Sequence, residues 1–102
     1  MNKYKFNVIY YDINKDKMTE YDIIPYLMQV YNKIEDKPET ISGLKSFILS
    51  ESKYRWWARC EYEIILSSWP RGKCKEKWDI FKQIEMNIDI ITNIFADAIS
   101  EA

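Results

Sequence analysis

Four cations lie within seven residues of the sequence, in a pattern that suits contact with phosphate. They end the stretch "YRWWARCEYEIILSSWPRGKCKEK", residues 54–77, where Glu76 is the one acid among them. On a strand, side chains at alternate positions point to one side, and a row of cations is sufficient to contact phosphate. The commoner role of such lysines is to keep the edge of a hairpin from pairing with another strand. The four cations are Arg71, Lys73, Lys75 and Lys77.

A second candidate surface is acidic and lies near the C-terminus, where no Lys or Arg follows Lys82. On a helical wheel its carboxylates lie away from an apolar stripe, and two isoleucines border them. Such a face can dock on a basic groove of another protein. The alternative is an ordinary amphipathic helix whose isoleucines pack on neighbouring elements or on a second subunit. The predicted partner-binding residues are Glu85, Asp89, Ile90, Ile94 and Asp97, and the second choice is Glu61 and Glu63 with the four cations.

The residue types argue against catalysis. The sequence contains no histidine, so Ser/His and Cys/His nucleophiles and the usual zinc sites lack a component. Cys60 is predicted to face inward, where a thiol behaves as a small hydrophobe, and Cys74 has no identifiable base nearby. We therefore predict a protein that is not an enzyme, with no catalytic residue, metal, cofactor or small-molecule substrate.

Length and composition predict one globular domain, residues 1–102. A hydrophobic share of 47% is sufficient for a core, and a net charge of −1 provides no overall field towards nucleic acid or membrane. The start of the sequence lacks a signal-peptide pattern and no apolar run reaches membrane-spanning length. We expect a cytoplasmic protein without a membrane partner, whose two cysteines are reduced.

Elements that would position these side chains can be read from hydrophobic periodicity. Residues 4–10 alternate between apolar and polar side chains as in a half-buried strand, and residues 18–24 return as a second, short one. A helix follows with Ile24, Leu27, Tyr31 and Ile34 on one face and Pro25 in its first turn.

The second half begins with another helix, opened by Pro38, with Ile41, Leu44 and Ile48 as its apolar stripe and an end near Ser52. A strand at 56–66 and a short strand at 74–80 then form a hairpin, and a helix at 80–99 carries the stripe that begins at Ile84. The result is an α+β fold in the order β(β)ααββα, in which helices cover one face of an antiparallel sheet of three to four strands.

Two segments carry a resemblance to a known group of proteins. "KFNVIYYDINKDKMTEYDI" and "RWWARCEYEIILSSWP" resemble a family of small proteins from prophages and mobile elements of Firmicutes, which has the block W-[SA]-[KR]-C-E-[WY]-E. The sequence departs from that family in its lysine-rich 71–77 segment and its acidic C-terminal tail. The matching residues are Trp57, Ala58, Arg59, Cys60, Glu61, Tyr62 and Glu63 in the block and Ser68, Trp69 and Pro70 in the turn after it.

Small phage proteins of this kind include anti-CRISPR proteins, and the sequence looks like a member of that group. The resemblance implies an inhibitor that binds the effector nuclease of a type II-A CRISPR system, or its guide RNA complex, in the bacterial cytoplasm. It implies that guide RNA loading or target DNA recognition is blocked, but defines no inhibitory residues. The alternatives are a small phage protein that binds RNA or DNA through the basic hairpin, and a homodimer formed through Ile90 and Ile94.

Overall fold

The computed structural model describes residues 4–56 and 73–101, which form an α+β arrangement of two strands and four helices. The α+β class predicted from the sequence is confirmed. Residues 57–66 of the strand predicted at 56–66 lie outside the described residues, as do Glu61, Glu63 and Arg71. The elements are β1 (Asn7–Asp12), β2 (Lys17–Asp22), α1 (Ile24–Asn32), α2 (Ile41–Trp56), α3 (Lys73–Met86) and α4 (Ile88–Glu101).

Strands β1 and β2 form an antiparallel hairpin in which Tyr10 lies opposite Thr19. The alternation predicted for the first strand is present, because Val8 is fully buried while Ile9 is exposed. The carboxylate of Asp12 accepts hydrogen bonds from two amides of the turn, and Asp16 adopts a φ of 52°. Both features are typical of aspartate in tight turns.

Helix α1 has the apolar face that the sequence predicted, with Ile24, Leu27 and Tyr31 buried. Pro25 occupies its first turn, where its missing amide would have no helical partner. The carboxylate of Asp22, at the end of β2, accepts hydrogen bonds from the amides of Phe6 and Ile24, each at 3.1 Å. One side chain thus connects both strands to the start of the helix.

Helix α2 begins at Ile41, where the hydroxyl of Thr40 accepts a hydrogen bond from the amide of Gly43 at 2.9 Å and caps the helix. Pro38 lies before it, and Ile41 is 54% exposed rather than buried. The helix also continues past Ser52 to Trp56. Trp56, predicted to start a strand, is therefore the last residue of a helix, although it is buried as expected.

The segment at 74–80, predicted to be a strand, is the first half of helix α3. Helix α3 buries Ile80, Phe81 and Ile84. Their spacing suits a helix and not a strand. Lysine, glutamate and glutamine fill most remaining positions and favour the same conformation. The prediction of a basic hairpin and the later part of the predicted order β(β)ααββα are therefore wrong at this segment.

The predicted 80–99 helix is divided between α3 and α4 at Asn87. The Asn87 amide donates to the Gln83 carbonyl at 3.1 Å, and its own carbonyl accepts from the Ile91 amide at 3.0 Å. The Asn87 amide also lies 3.3 Å from the Ile84 carbonyl, and Asn87 forms a turn that interrupts the helix. The predicted stripe is buried at Ile84, Ile91, Phe95 and Ala98 and partly buried at Ile88.

Helix α2 packs against both α3 and α4, and α3 packs along β1. An aromatic group formed by Tyr31, Phe47 and Phe95 connects α1, α2 and α4, with ring centroids 5.5–5.9 Å apart. At the other end of α2, Trp56 makes edge contacts with Tyr21 and Tyr26. In the described part of the chain, no helix is long and apolar enough to cross a membrane.

Cys74, in the first turn of α3, is disulfide-bonded. The prediction of a reduced thiol at this position is therefore wrong for this structure. Cys60, the other cysteine of the sequence, lies outside the described residues.

Candidate functional site

The predicted acidic residues lie on both sides of the junction at Asn87. Glu85 is near the end of α3, whereas Asp89 and Ile90 are in the first turn of α4. Glu85, Asp89 and Asp97 are exposed, and Ile90 is 55% exposed. The negative charge of Asp89 is favourable at this helix N-terminus because it complements the helix dipole.

Ile94 belongs to the core side of α4. It is partly buried and packs against the hydrophobic core. Ile94 therefore offers less surface to a partner than Ile90 does. The outward face of α4 instead continues through residues spaced by three and four positions, which are all exposed: Ile90, Asn93, Asp97 and Glu101.

The sequence analysis missed Met86, which is 81% exposed at the end of α3. Met86 and Ile90 are four residues apart in the sequence, on either side of the turn residue Asn87, and both are exposed. An exposed Met with rotatable bonds adapts well to a partner. Its position four residues before Ile90 was the available signal. We call Glu85, Met86, Asp89, Ile90 and Asp97 the acidic–apolar surface.

Two acids of the acidic–apolar surface have cationic neighbours. Glu85 pairs with Lys82 at 3.0 Å, and Asp89 pairs with Lys45 of α2 at 2.9 Å. Both acids therefore have a cationic neighbour, although no Lys or Arg follows Lys82 in the sequence. The side chain of Asp89 remains 82% exposed and that of Lys45 42%, and such surface pairs are weak, about 0–1 kcal/mol. A partner arginine can therefore compete for either carboxylate.

The predicted row of cations is not formed by Lys75 and Lys77. Residues two apart on a helix point in nearly opposite directions, about 200° apart. Lys75 forms an ion pair with Asp79, and Lys77 lines a cavity beside Trp56. Lys73 begins the helix. The prediction that four cations share one side depended on a strand, and it fails with that strand.

Metal-ligating residue types do not gather within residues 4–56 and 73–101, where no three His, Cys, Asp or Glu side chains are placed to hold an ion. The absence of catalytic residues and of a cofactor stays a prediction from the sequence.

Comparison with family models, with curated proteins and with solved structures finds no match to this chain. The resemblance to small proteins of prophages and mobile elements therefore rests on the residues quoted above.

Proposed function

We propose that this protein is a non-enzymatic inhibitor that binds the effector nuclease of a type II-A CRISPR system through the acidic–apolar surface. The observation that supports this surface is the exposure of Met86 and Ile90 between exposed carboxylates. Binding blocks guide RNA loading or recognition of target DNA. The setting we propose is a phage or mobile element in the cytoplasm of a bacterial host.

The chemistry of the two surfaces is complementary. RNA-guided nucleases hold guide and heteroduplex in positively charged channels. Carboxylates steer the encounter with such a channel and fix orientation, while the desolvation of a few apolar anchors supplies much of the affinity. Glu85, Asp89 and Asp97 supply the charge, and Met86 and Ile90 supply the anchors.

The test is a binding measurement between the purified protein and the purified effector nuclease, with and without guide RNA. The double variant Glu85→Lys/Asp89→Lys reverses two carboxylates of the surface and should weaken binding by at least about 100-fold, since truncation of one close charge pair alone costs about 2–5 kcal/mol. The matched control is Glu35→Lys/Asp36→Lys, which makes the same charge change at two exposed residues between α1 and α2.

Guide RNA separates the two modes of inhibition. Binding to the free nuclease that guide RNA displaces supports a block of guide loading, whereas binding to the loaded complex that target DNA displaces supports a block of recognition. No binding to either form at low salt would refute the proposal. Equal loss in both double variants would show that net charge matters and that the acidic–apolar surface does not.

The alternative, binding of RNA or DNA through a basic hairpin, no longer has the hairpin on which it was based. A homodimer formed through Ile90 and Ile94 would now depend mainly on Ile90 and Met86, because Ile94 packs on the core. The solution mass of the protein distinguishes a dimer from a monomer. A dimer that the variant Met86→Lys/Ile90→Lys dissociates would assign the acidic–apolar surface to self-association.

A further inference from the structure

A cavity of about 380 Å³ lies beside the end of α2, the first half of α3 and Tyr10 of β1. Its volume lies near the lower end of the range for small-molecule sites, roughly 300–1,000 Å³. The last three residues of α2 line it together with Tyr10 of β1 and with Glu76, Lys77 and Ile80 of α3. The acidic–apolar surface contributes no residue to this lining.

Four of the seven described residues that line the cavity are apolar or aromatic. Trp56 is 7% exposed and Ile80 is 6% exposed, so both belong to the core and form a fixed surface. Tyr54, by contrast, is 74% exposed, which leaves its ring available to cover a planar ligand. Aromatic walls of this kind favour a ligand with a ring of its own.

Two cations line the cavity, and neither forms an ion pair within the described ranges 4–56 and 73–101. Lys77 differs in this from Lys75 and Lys82 of the same helix, which pair with Asp79 and Glu85. The guanidinium of Arg55 lies over the ring of Tyr26 at 5.6 Å from its centroid.

The carboxylate of Glu51, which is on the same helix as Arg55, has another partner. The hydroxyl of Tyr26 donates a hydrogen bond to Glu51 at 2.5 Å. Burial, together with this bond, raises the pKa of Tyr26 well above its ordinary value, so the phenol keeps its proton. Glu51 is thereby oriented towards Tyr26, and Arg55 retains donors for another acceptor.

The acidic residue of the lining, Glu76, also has a hydrogen-bond partner in the hairpin. Glu76 accepts a hydrogen bond from the amide of Ile13 in the hairpin turn. Among the lining residues that the structure describes, two cations and this one carboxylate give a formal charge of +1. Burial raises the pKa of Tyr10, and the nearby charges of Asp12 and Glu76 raise it further. Its phenol therefore stays protonated and able to donate a hydrogen bond.

We propose that this cavity binds a small ligand that carries an anionic group, a carboxylate or a phosphate ester, on an aromatic ring. The anionic group lies between Arg55 and Lys77, with the hydroxyl of Tyr10 as an additional donor. The ring lies against Trp56 and Ile80 and beneath Tyr54. The site uses residues outside the acidic–apolar surface, so it does not depend on the proposed function.

Four simple probes test the ring and the charge separately. Phenylacetate and phenyl phosphate carry both features, phenylacetamide carries the ring without the charge, and acetate carries the charge without a ring. We expect the first two to shift the backbone amide resonances of residues around the cavity in an NMR titration. Their relative affinities identify carboxylate or phosphate as the preferred group. Phenylacetamide and acetate should bind at least about tenfold more weakly, since a charge-assisted hydrogen bond contributes about 1.5–3 kcal/mol.

The variant Lys77→Gln should weaken binding of the better aromatic anion about tenfold or more, because it removes one of the two cations. The matched control Lys75→Gln removes the same charge from the same helix, outside the cavity, and should retain the affinity within about twofold because exposed charges contribute little. Arg55→Gln serves as the second variant if Lys77→Gln does not fold. Equal binding of phenylacetamide, equal loss in the Lys75 and Lys77 variants, or no shifts around the cavity would each overturn the proposal.

Discussion

Helix α3 packs against β1 of the hairpin, whereas its last residue, Met86, and Ile90 in the first turn of α4 are exposed. On the hairpin side, the side chain of Gln83 accepts a hydrogen bond from the amide of Ile9 at 2.8 Å and donates one to the carbonyl of the same residue. Glu76, two turns earlier, accepts from the amide of Ile13. On the solvent side, Met86 and Ile90 are exposed beside carboxylates that form weak surface ion pairs.

The hairpin side uses polar side chains to complete the structure. Ile9 is opposite Glu20 in the register, at a position whose backbone groups point away from β2. The side-chain amide of Gln83 therefore hydrogen-bonds to the edge of β1 as a neighbouring strand would, with one donor and one acceptor. The solvent side has no comparable structural role, so its exposed apolar area is a better indication of binding. The following predictions test this contrast, from the largest expected effect to the smallest.

The largest effect is expected at Ile84, which is fully buried on α3. Ile84→Ala should lower the free energy of unfolding by about 2–5 kcal/mol, because it leaves a cavity between packed helices. Met86→Ala, two residues later on the same helix, should change it by less than about 0.5 kcal/mol. Urea unfolding measures both. A cost at Met86 comparable to that at Ile84 would mean that the end of α3 is buried in solution.

The second effect concerns the hydrogen bonds of Gln83. Gln83→Ala removes two bonds to the edge of β1 and should cost about 1–3 kcal/mol of stability, since each contributes about 0.5–1.5 kcal/mol. Hydrogen exchange should accelerate at the amide of Ile9. Gln29→Ala, at an exposed position of α1, is the control for loss of a glutamine from a helix. Unchanged exchange at Ile9 would show that the contact between α3 and β1 does not depend on this side chain.

The sequence predicted the N-terminal elements well because each has a regular apolar pattern of its own. Residues 4–10 alternate at a period of two, and Ile24, Leu27 and Tyr31 repeat at helical spacing, so local sequence identifies both. The strand predicted at 74–80 failed because Trp78 and Ile80 alternate within a short window, whereas the spacing that decides the structure continues to Ile84. A window of fourteen residues, the length of α3, contains the helical pattern.

The contact between Gln83 and Ile9 was not predictable in this way. It joins residues 74 positions apart, and a glutamine on a helix has no pattern that distinguishes a structural hydrogen bond from a solvated side chain. The candidate acidic residues were identified from their types, and their exposure agrees with the helical wheel. The partner of Asp89 was missed because Lys45 comes from a different helix, whereas Lys82 and Glu85 have the i, i+3 spacing of a pair within one helix.

A buried polar atom provides a third test. The hydroxyl of Ser52 is buried on α2 and has no hydrogen-bond partner among residues 4–56 and 73–101, which is unfavourable in the absence of water. Ser52→Ala should therefore raise the free energy of unfolding by about 1 kcal/mol, from the removed hydroxyl and the higher helix propensity of alanine. Ser50→Ala, at an exposed position of the same helix, reports the propensity alone. A destabilised Ser52→Ala variant would mean that the hydroxyl is hydrogen-bonded in solution.

The smallest effect on stability is expected at Lys45, the partner of Asp89 on the solvent side. Lys45→Gln should lower the free energy of unfolding by less than about 0.5 kcal/mol, because the Asp89 side chain is 82% exposed, that of Lys45 is 42% exposed, and the pair is screened by salt. Its effect on the proposed binding has the opposite sign. Without Lys45, the carboxylate of Asp89 has no intramolecular competitor for an arginine of the nuclease, so affinity should be retained or rise slightly at low salt. Thermal unfolding and binding measured on the same variant separate the two effects. Weaker binding with unchanged stability would place Lys45 itself in the interface and move the contact from the acidic–apolar surface towards α2.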